Sequence, residues 1–282
     1  MNVHIVHAFT KDGSGGNIAG VVLCTESYST EQMQECAQHA GYSETAFIEI
    51  ISHREQHIRF FAPTKEVALC GHATIASYSW MFAQGLIRQG SHHMHCLAGT
   101  QNIIVEKDGA VSMSQNLPTF GDILSPEPVA QCLGIHTSQF DSTLPIQIAS
   151  TGLHKIFVPL RSLHDLNSIR PDFHAIIALA QKHHAIGMYC YTRETLYHNT
   201  AHCRNFAPVV GIFEDSATGT SAAALSTLLH HFGLLSTNSE INLCYEQGYF
   251  IQTPAEIHVR LVQKENHIQE VWVRGYATCT EA

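Results

Sequence analysis

Glu214-Asp215-Ser216-Ala217-Thr218-Gly219-Thr220-Ser221-Ala222-Ala223-Ala224-Leu225 sets two acids ahead of a small, glycine-bearing turn and then opens into an alanine-rich apolar run. This is how a helix begins with its first backbone N–H groups bare, with Thr218 or Ser216 placed to cap it. Unpaired N–H groups and the positive end of the helix dipole converge on one point, so such a start holds anions. Asp215 beside that cradle suits an enzyme acting on a carboxylate. A capped buried helix preceded by two solvated acids would carry the same residues.

A second stretch has the same design. Leu69-Cys70-Gly71-His72-Ala73-Thr74-Ile75-Ala76 puts a titratable residue at a glycine turn, then a small-residue apolar run predicted as a helix from His72 to about Phe82. Both helices are apolar nearly all round: Ala73, Ile75, Tyr78 and Trp80 in one, and Ala222, Ala223, Leu225 and Leu228 in the other. A helix of that composition is central, with sheet wrapped about it. Two such lobes would leave a cleft between the helix starts for a small ligand.

The rest of the chain supports two halves with one element order. Val3–Phe9 and Ala19–Thr25 read as strands, and Ser29 with Gln32 forms a capping box for a helix to Ala40 ended by Gly41. Strands Ala46–Ile51 and His57–Ala62 follow, and Lys107-Asp108-Gly109 turns a hairpin between Cys96–Glu106 and Ala110–Gln115. The proline-rich loop from Leu117 to Pro128 marks the boundary, giving lobes 1–118 and 119–282; a C-terminal strand over 270–278 could complete the first. In the second half, Val129–Leu133 is a short helix. Pro171–His184 is another, with the proline in its first turn, and strands run over Gln147–Ser150, Lys155–Leu160, Gly187–Thr192, His198–Phe206, Ile241–Glu246, Ile257–Val262 and Glu270–Tyr276. The expected class is α+β, in two pseudo-symmetric lobes of antiparallel, barrel-like sheet, each around a central helix.

Composition narrows the function. A formal charge of −9 without a Lys/Arg stripe argues against nucleic acid, and no apolar run approaches the ~20 residues needed to span a bilayer. The start of the chain lacks a signal peptide's basic and apolar segments, so the expected location is cytoplasmic. Nine scattered cysteines show no Cys-x-x-Cys pair, and His92-His93, His183-His184 and His230-His231 lack a metalloprotease pattern; no metal is expected. Gly13-Ser14-Gly15-Gly16 lacks the full spacing of a nucleotide fingerprint.

The motifs together resemble the phenazine-biosynthesis PhzF-like proteins, whose fold is diaminopimelate epimerase-like. The resemblance rests on Gly16-Asn17, Ser43-Glu44-Thr45-Ala46-Phe47, Arg59-Phe60-Phe61-Ala62-Pro63, Cys70-Gly71-His72-Ala73-Thr74, Phe206-Ala207-Pro208 and Glu214 to Gly219, in order along almost the whole chain. It implies a cofactor-free acid–base isomerase acting on a small carboxylate-containing metabolite bound between the lobes, and a possible homodimer. Glu44 would be the proton-transfer group, with His72 and Asp215 lining the same pocket; Asn17, Gly71, Ala73, Gly219 and Thr220 would bind the substrate. The residues agree, because a base for a carbon-bound proton needs a partner that stabilises the developing charge, and Glu44 precedes an apolar strand that would partly bury it.

Three features depart from the family pattern: Ser216 and Thr220 replace proline and serine, Gln252-Thr253-Pro254-Ala255 lacks an arginine, and Ile18 follows Asn17 in place of proline. The proton-transfer set is intact while recognition is altered, so the phenazine precursor is not the expected substrate. The related racemases use two facing thiols; Cys70 matches the first, but the second falls near Ala217, which makes Cys70 structural in this reading. A metabolite-binding protein without catalysis is the alternative, and it would have no need of Glu44, His72 and Asp215 together.

Overall fold

The computed structural model describes residues 1–280, and the chain divides into two units: Met1–Ser114 with the segment from Arg274 onward, and Gln115–Val273. Among the described residues, no helix is long and apolar enough to cross a membrane.

In the first unit, β1 (His4–Ala8) and β2 (Asn17–Leu23) pair antiparallel, with Ala8 opposite Asn17. Gly16 sits at φ +80, and a Cβ there would lie 2.4 Å from the carbonyl oxygen of Ala8. Only glycine tolerates that approach, which delivers Asn17 to the start of β2. Helix α1 (Thr30–Ala40) has the expected capping box: Gln32 N–H donates to Ser29 Oγ at 3.3 Å and Ser29 N–H to Gln32 Oε1 at 2.9 Å, and Gly41 closes it at φ 70. Next, β3 (Thr45–Ile50) runs parallel to β2 and antiparallel to β4 (Glu55–Ala62). After the short β5 (Lys65–Val67) comes α2 (Gly71–Ala83), one residue longer at each end than expected, with Ala73 to Tyr78 all buried. It packs on β1, β2 and β3, as a helix without a polar face must.

Strand β6 (Gly90–Cys96) pairs parallel with β4 and antiparallel with β7 (Gly99–Val105), which pairs with β8 (Val111–Gln115). The expected hairpin strand from Cys96 to Glu106 is therefore shorter, and its neighbour β6, Gly-Ser-His-His-Met-His-Cys, was not expected at all. Its polar histidines hide the period of a strand; His92 is buried only because its Nε2 meets the Arg88 carbonyl at 2.8 Å.

The second unit opens on β9 (Thr119–Leu124), inside the segment expected to be loop. Five of its six residues are exposed, so no hydrophobic pattern betrays it; pairing with β10 (Ile146–Ser150) makes it a strand. Helix α3 (Pro126–Leu133) begins three residues earlier than expected. From β10 the chain passes to β11 (Lys155–Pro159), then α4 (Leu163–Ser168), which had no sequence expectation. In α5 (Phe173–Lys182), Pro171 lies outside the helix. Asp172 caps it instead, accepting from Ala175 N–H at 3.0 Å.

Strand β12 (Met188–Thr192) is parallel to β11 and antiparallel to β13 (Ala201–Ala207), which in turn pairs with β14 (Ile212–Asp215). Helix α6 (Gly219–His231) packs on β10 and on β16 (Ala255–Lys264), and β16 lies antiparallel to β15 (Glu240–Gln247). Pairings are thus mixed, mostly antiparallel, with parallel contacts where the chain crosses over. Strand β17 (His267–Gly275) leads to β18 (Ala277–Cys279), which pairs with β1.

Candidate active site

Glu44 stands one residue before β3, its carbonyl accepting from Gly20 N–H at 3.0 Å. That bond and the parallel pairing of β2 with β3 hold the residue at the strand's mouth. His72 is the second residue of α2, and its Nε2 lies 3.4 Å from Glu44 Oε2. The side chains are only 10% and 15% exposed, so a proton passing between them is sheltered from bulk water. The contact is within ion-pair distance without hydrogen-bond alignment: Oε2 is buried and makes no hydrogen bond. A slight turn of either ring or carboxylate would convert one into the other.

Ser43 and Cys70 complete this cluster. Ser43 Oγ lies 3.3 Å from His72 Nε2 and donates to the Ile18 carbonyl at 3.4 Å. With the hydroxyl proton spent on Ile18, the network assigns the ring proton to Nε2, facing both Ser43 and Glu44. Cys70 Sγ is 3.4 Å from Nδ1, where a thiol proton can be donated. Cys70 therefore touches the imidazole that faces Glu44, a contact the structural reading of that cysteine did not foresee. Its signal was present in the sequence, two residues from His72.

Cys70 occupies the N-cap position of α2 but makes no side-chain cap, and Thr74 N–H is the first to reach back to the Cys70 carbonyl. The N–H groups of Gly71, His72 and Ala73 thus lack intrahelical partners. A Cβ added at Gly71 would meet nothing within 4 Å, so there is room in front of this helix start. Ala73 itself is fully buried. Asn17, also buried, begins the strand next to β3, one residue from the Ile18 carbonyl that Ser43 engages.

In the second unit, Asp215 ends β14. Its Oδ2 accepts a short hydrogen bond from Thr218 Oγ1 and one from Asn205 Nδ2 at 3.5 Å. Thr218 occupies the N-cap position of α6, yet its hydroxyl turns to Asp215 and leaves the N–H groups of Gly219 and Thr220 uncapped, contrary to the expected cap. Gln247 ties the turn down: its Nε2 donates to the Asp215 carbonyl at 2.8 Å, and its Oε1 accepts from Tyr189 Oη at 3.0 Å. Glu214, the other acid of the pair, is a structural residue. Arg204 holds it with two parallel hydrogen bonds at 2.9 and 2.8 Å.

Gly248, next to Gln247, sits at φ +84, and a Cβ there would lie 2.2 Å from the Thr253 carbonyl oxygen and 2.7 Å from that of Ser216. Both obstacles are backbone and cannot swing aside. Gly248→Ala is therefore expected to cost about 2–3 kcal/mol and to displace the Ser216 turn. Urea titration measures the loss, and an unchanged midpoint would show that the turn yields freely.

Lys155 was not expected here. It is 3% exposed, and its Nζ donates a short hydrogen bond to Asn205 Oδ1, one bond from Asp215. Burial pushes its pKa down from 10.5 to about 7, against the upward pull of the Asp215 carboxylate. Below pH 7 the amine is charged in folded and unfolded chains alike. Above it the folded chain releases a proton that the unfolded chain keeps, so stability rises with pH towards 10.5. Against Lys155→Met, wild type should gain about 1.5 kcal/mol between about pH 7 and about pH 8.5, the cysteines and tyrosines that both chains share cancelling from the difference. Denaturation of both proteins across that range checks the sign, and parallel curves would contradict it.

Two donor sets among the described residues have the size of a metal site: Glu44, Cys70 and His72, and Cys244, Glu256 and His258, each with its ligand atoms within 4.8 Å of one another. The histidine pairs go elsewhere: His230 bonds Gln263 at 2.8 Å while His231 stacks on Phe120.

The PhzC-PhzF family model, phenazine biosynthesis-like protein, matches residues 6–282. The chain is 32% identical to the uncharacterized isomerase YddE of Escherichia coli K12, over 98% of this chain and 95% of that one. It is 27% identical to the trans-2,3-dihydro-3-hydroxyanthranilate isomerase of Pseudomonas chlororaphis, covering 96% and 94%. The crystal structure of a PhzF-family phenazine biosynthesis protein from Bacillus anthracis superposes with a TM-score of 0.91 at 26% identity, covering 99% of this chain and 96% of the other. With a family match over nearly its full length and relatives of this identity, the chain belongs to the phenazine biosynthesis-like PhzC-PhzF family and is an isomerase.

Proposed function

We propose that this isomerase moves a proton between two carbons of a small carboxylate-bearing metabolite by acid–base chemistry alone. The observation that carries the reading is the sheltered contact of Glu44 with His72 at the uncapped start of α2. Glu44 takes the proton from carbon. As the electron pair moves into the conjugated system, negative charge builds on the substrate carboxylate, where the N–H groups of Gly71 and Ala73 and the His72 ring can meet it. Glu44 then returns the proton at the second carbon. Asp215, held by Thr218 and Asn205, and the bare N–H groups of Gly219 and Thr220 repeat the arrangement within the second unit, a carboxylate beside an uncapped helix start.

The substrate need not be that of the Pseudomonas enzyme. Thr220, Ser216 and the Gln252–Ala255 segment differ where the resemblance expects recognition to lie. The test is incubation in D2O with a panel of small carboxylic and amino acids, read by mass spectrometry. Wild type should catalyse deuterium uptake into a panel member and Glu44→Gln should not. Uptake that persists in the variant would remove Glu44 from its role, and binding without uptake would favour a binding protein.

A further inference from the structure

Strands β15 and β16 carry a second chemical constellation, on the sheet face turned away from α6. Alternation along β15 sends Tyr245 inward, where its hydroxyl meets Ser226 of α6 at 2.7 Å, and Cys244 outward. Cys244 stands directly opposite His258, and Glu256 lies two residues before His258 on the same face. The backbone of Cys244 is engaged from the other side: its N–H donates to Thr200 Oγ1 at 3.1 Å and its carbonyl accepts from Thr200 N–H at 2.7 Å. Cys244 and His258 are therefore a non-hydrogen-bonded pair, the type in which opposing side chains approach most closely.

The three donor atoms lie within 4.8 Å of one another, with His258 Nε2 3.2 Å from Glu256 Oε1. Bonds of about 2.3 Å to sulfur and about 2.0–2.2 Å to nitrogen and oxygen place tetrahedral ligands roughly 3.3–3.6 Å apart, so small side-chain rotations close the set on one ion. A thiolate, an imidazole and a carboxylate suit zinc better than the hard, oxygen-preferring magnesium or calcium. Glu256 is 26% exposed and His258 29%, which leaves a path for the ion and for a water as fourth ligand. Beside them the Tyr249 hydroxyl is buried, makes no hydrogen bond, and lies in electrostatic reach of Glu256 and Cys244.

We propose that Cys244, Glu256 and His258 form a binding site for a zinc-type divalent cation, which fastens β15 to β16 across the Cys244–His258 pair. The site is separate from the Glu44–His72 pair and independent of the reaction proposed above.

Cobalt(II) titration tests it, because a thiolate ligand adds a sulfur-to-cobalt charge-transfer band that histidine-only surface sites lack. The reference is the Cys70→Ser chain, which removes the thiol of the other donor set. That chain should bind cobalt with the thiolate band, and excess zinc should displace it. The band should vanish in Cys70→Ser/Cys244→Ser, and affinity should fall at least ~10-fold in Cys70→Ser/His258→Ala. The second variant decides the matter if the first fails to fold. Absence of the band from the reference, its survival in Cys70→Ser/Cys244→Ser, or an unchanged affinity in Cys70→Ser/His258→Ala would overturn the proposal.

Discussion

Glu44→Gln should lower turnover by about 10²–10⁴-fold while leaving the fold intact, the range expected when a positioned acid–base group is removed. The substitution keeps the shape of the side chain and removes its charge and its ability to carry a proton. Nothing in the packing depends on that proton: the residue is anchored through its backbone carbonyl on Gly20, and Oε2 makes no hydrogen bond whose loss would unfold the chain. The amide can still approach His72 Nε2, 3.4 Å away in wild type, so binding should suffer less than chemistry and the loss should fall on kcat. Once the deuterium panel has supplied a substrate, steady-state kinetics with a thermal melt measures both halves of the claim. A variant that keeps its melt and more than a tenth of its kcat would make Glu44 a binding residue.

The largest effect on stability is expected at Glu246. Its carboxylate is 1% exposed and gathers four donors: Leu196 N–H at 2.9 Å, Tyr197 N–H at 2.8 Å, Asn199 Nδ2 at 3.1 Å and His202 Nδ1 at 2.8 Å. Burial pushes the His202 imidazole down in pKa despite the carboxylate beside it. The contact is thus a hydrogen bond from a neutral ring. The segment around Leu196–Asn199 has little apolar anchorage, Leu196 and Tyr197 being half exposed, so Glu246 is what orders it. Glu246→Ala leaves these donors facing a cavity and should cost about 3–5 kcal/mol. Glu246→Gln restores one acceptor but turns an N–H group towards other donors, and should recover only part of the loss. Urea denaturation gives the size, and protease cleavage within 193–199 should accelerate in both variants. A loss below ~1 kcal/mol would show that water satisfies the donors.

Much of this molecule follows from sequence alone where the signal is local. The Ser29–Gln32 box and Gly41 define α1 because capping is settled within one helical turn. The starts of α2 and α6 were legible for the same reason, as was their burial, since a helix apolar on every side has no face to give to water. Motif order along the chain established the family and singled out Glu44, His72 and Asp215.

What required the tertiary structure depends on partners distant in the chain. Strand β9 is exposed along nearly all its length and exists because β10 offers it hydrogen bonds. Strand β6 hides its pattern behind histidines, of which His92 is buried with its Nε2 on the Arg88 carbonyl. Lys155 reads as an ordinary strand lysine until Asn205, fifty positions later, is found accepting from it. Thr218 looks like a cap, yet its hydroxyl accepts from Asn205 and Gln247, both distant in the chain, and donates to Asp215 in place of accepting from the helix's own N–H groups. The sequence therefore determined α1, the two apolar helices, the family and the candidate residues Glu44, His72 and Asp215, which short-range stereochemistry and motif spacing encode. Folding alone decided which polar groups are buried and who satisfies them, because a hydrogen bond across the sheet leaves no periodic mark on either strand.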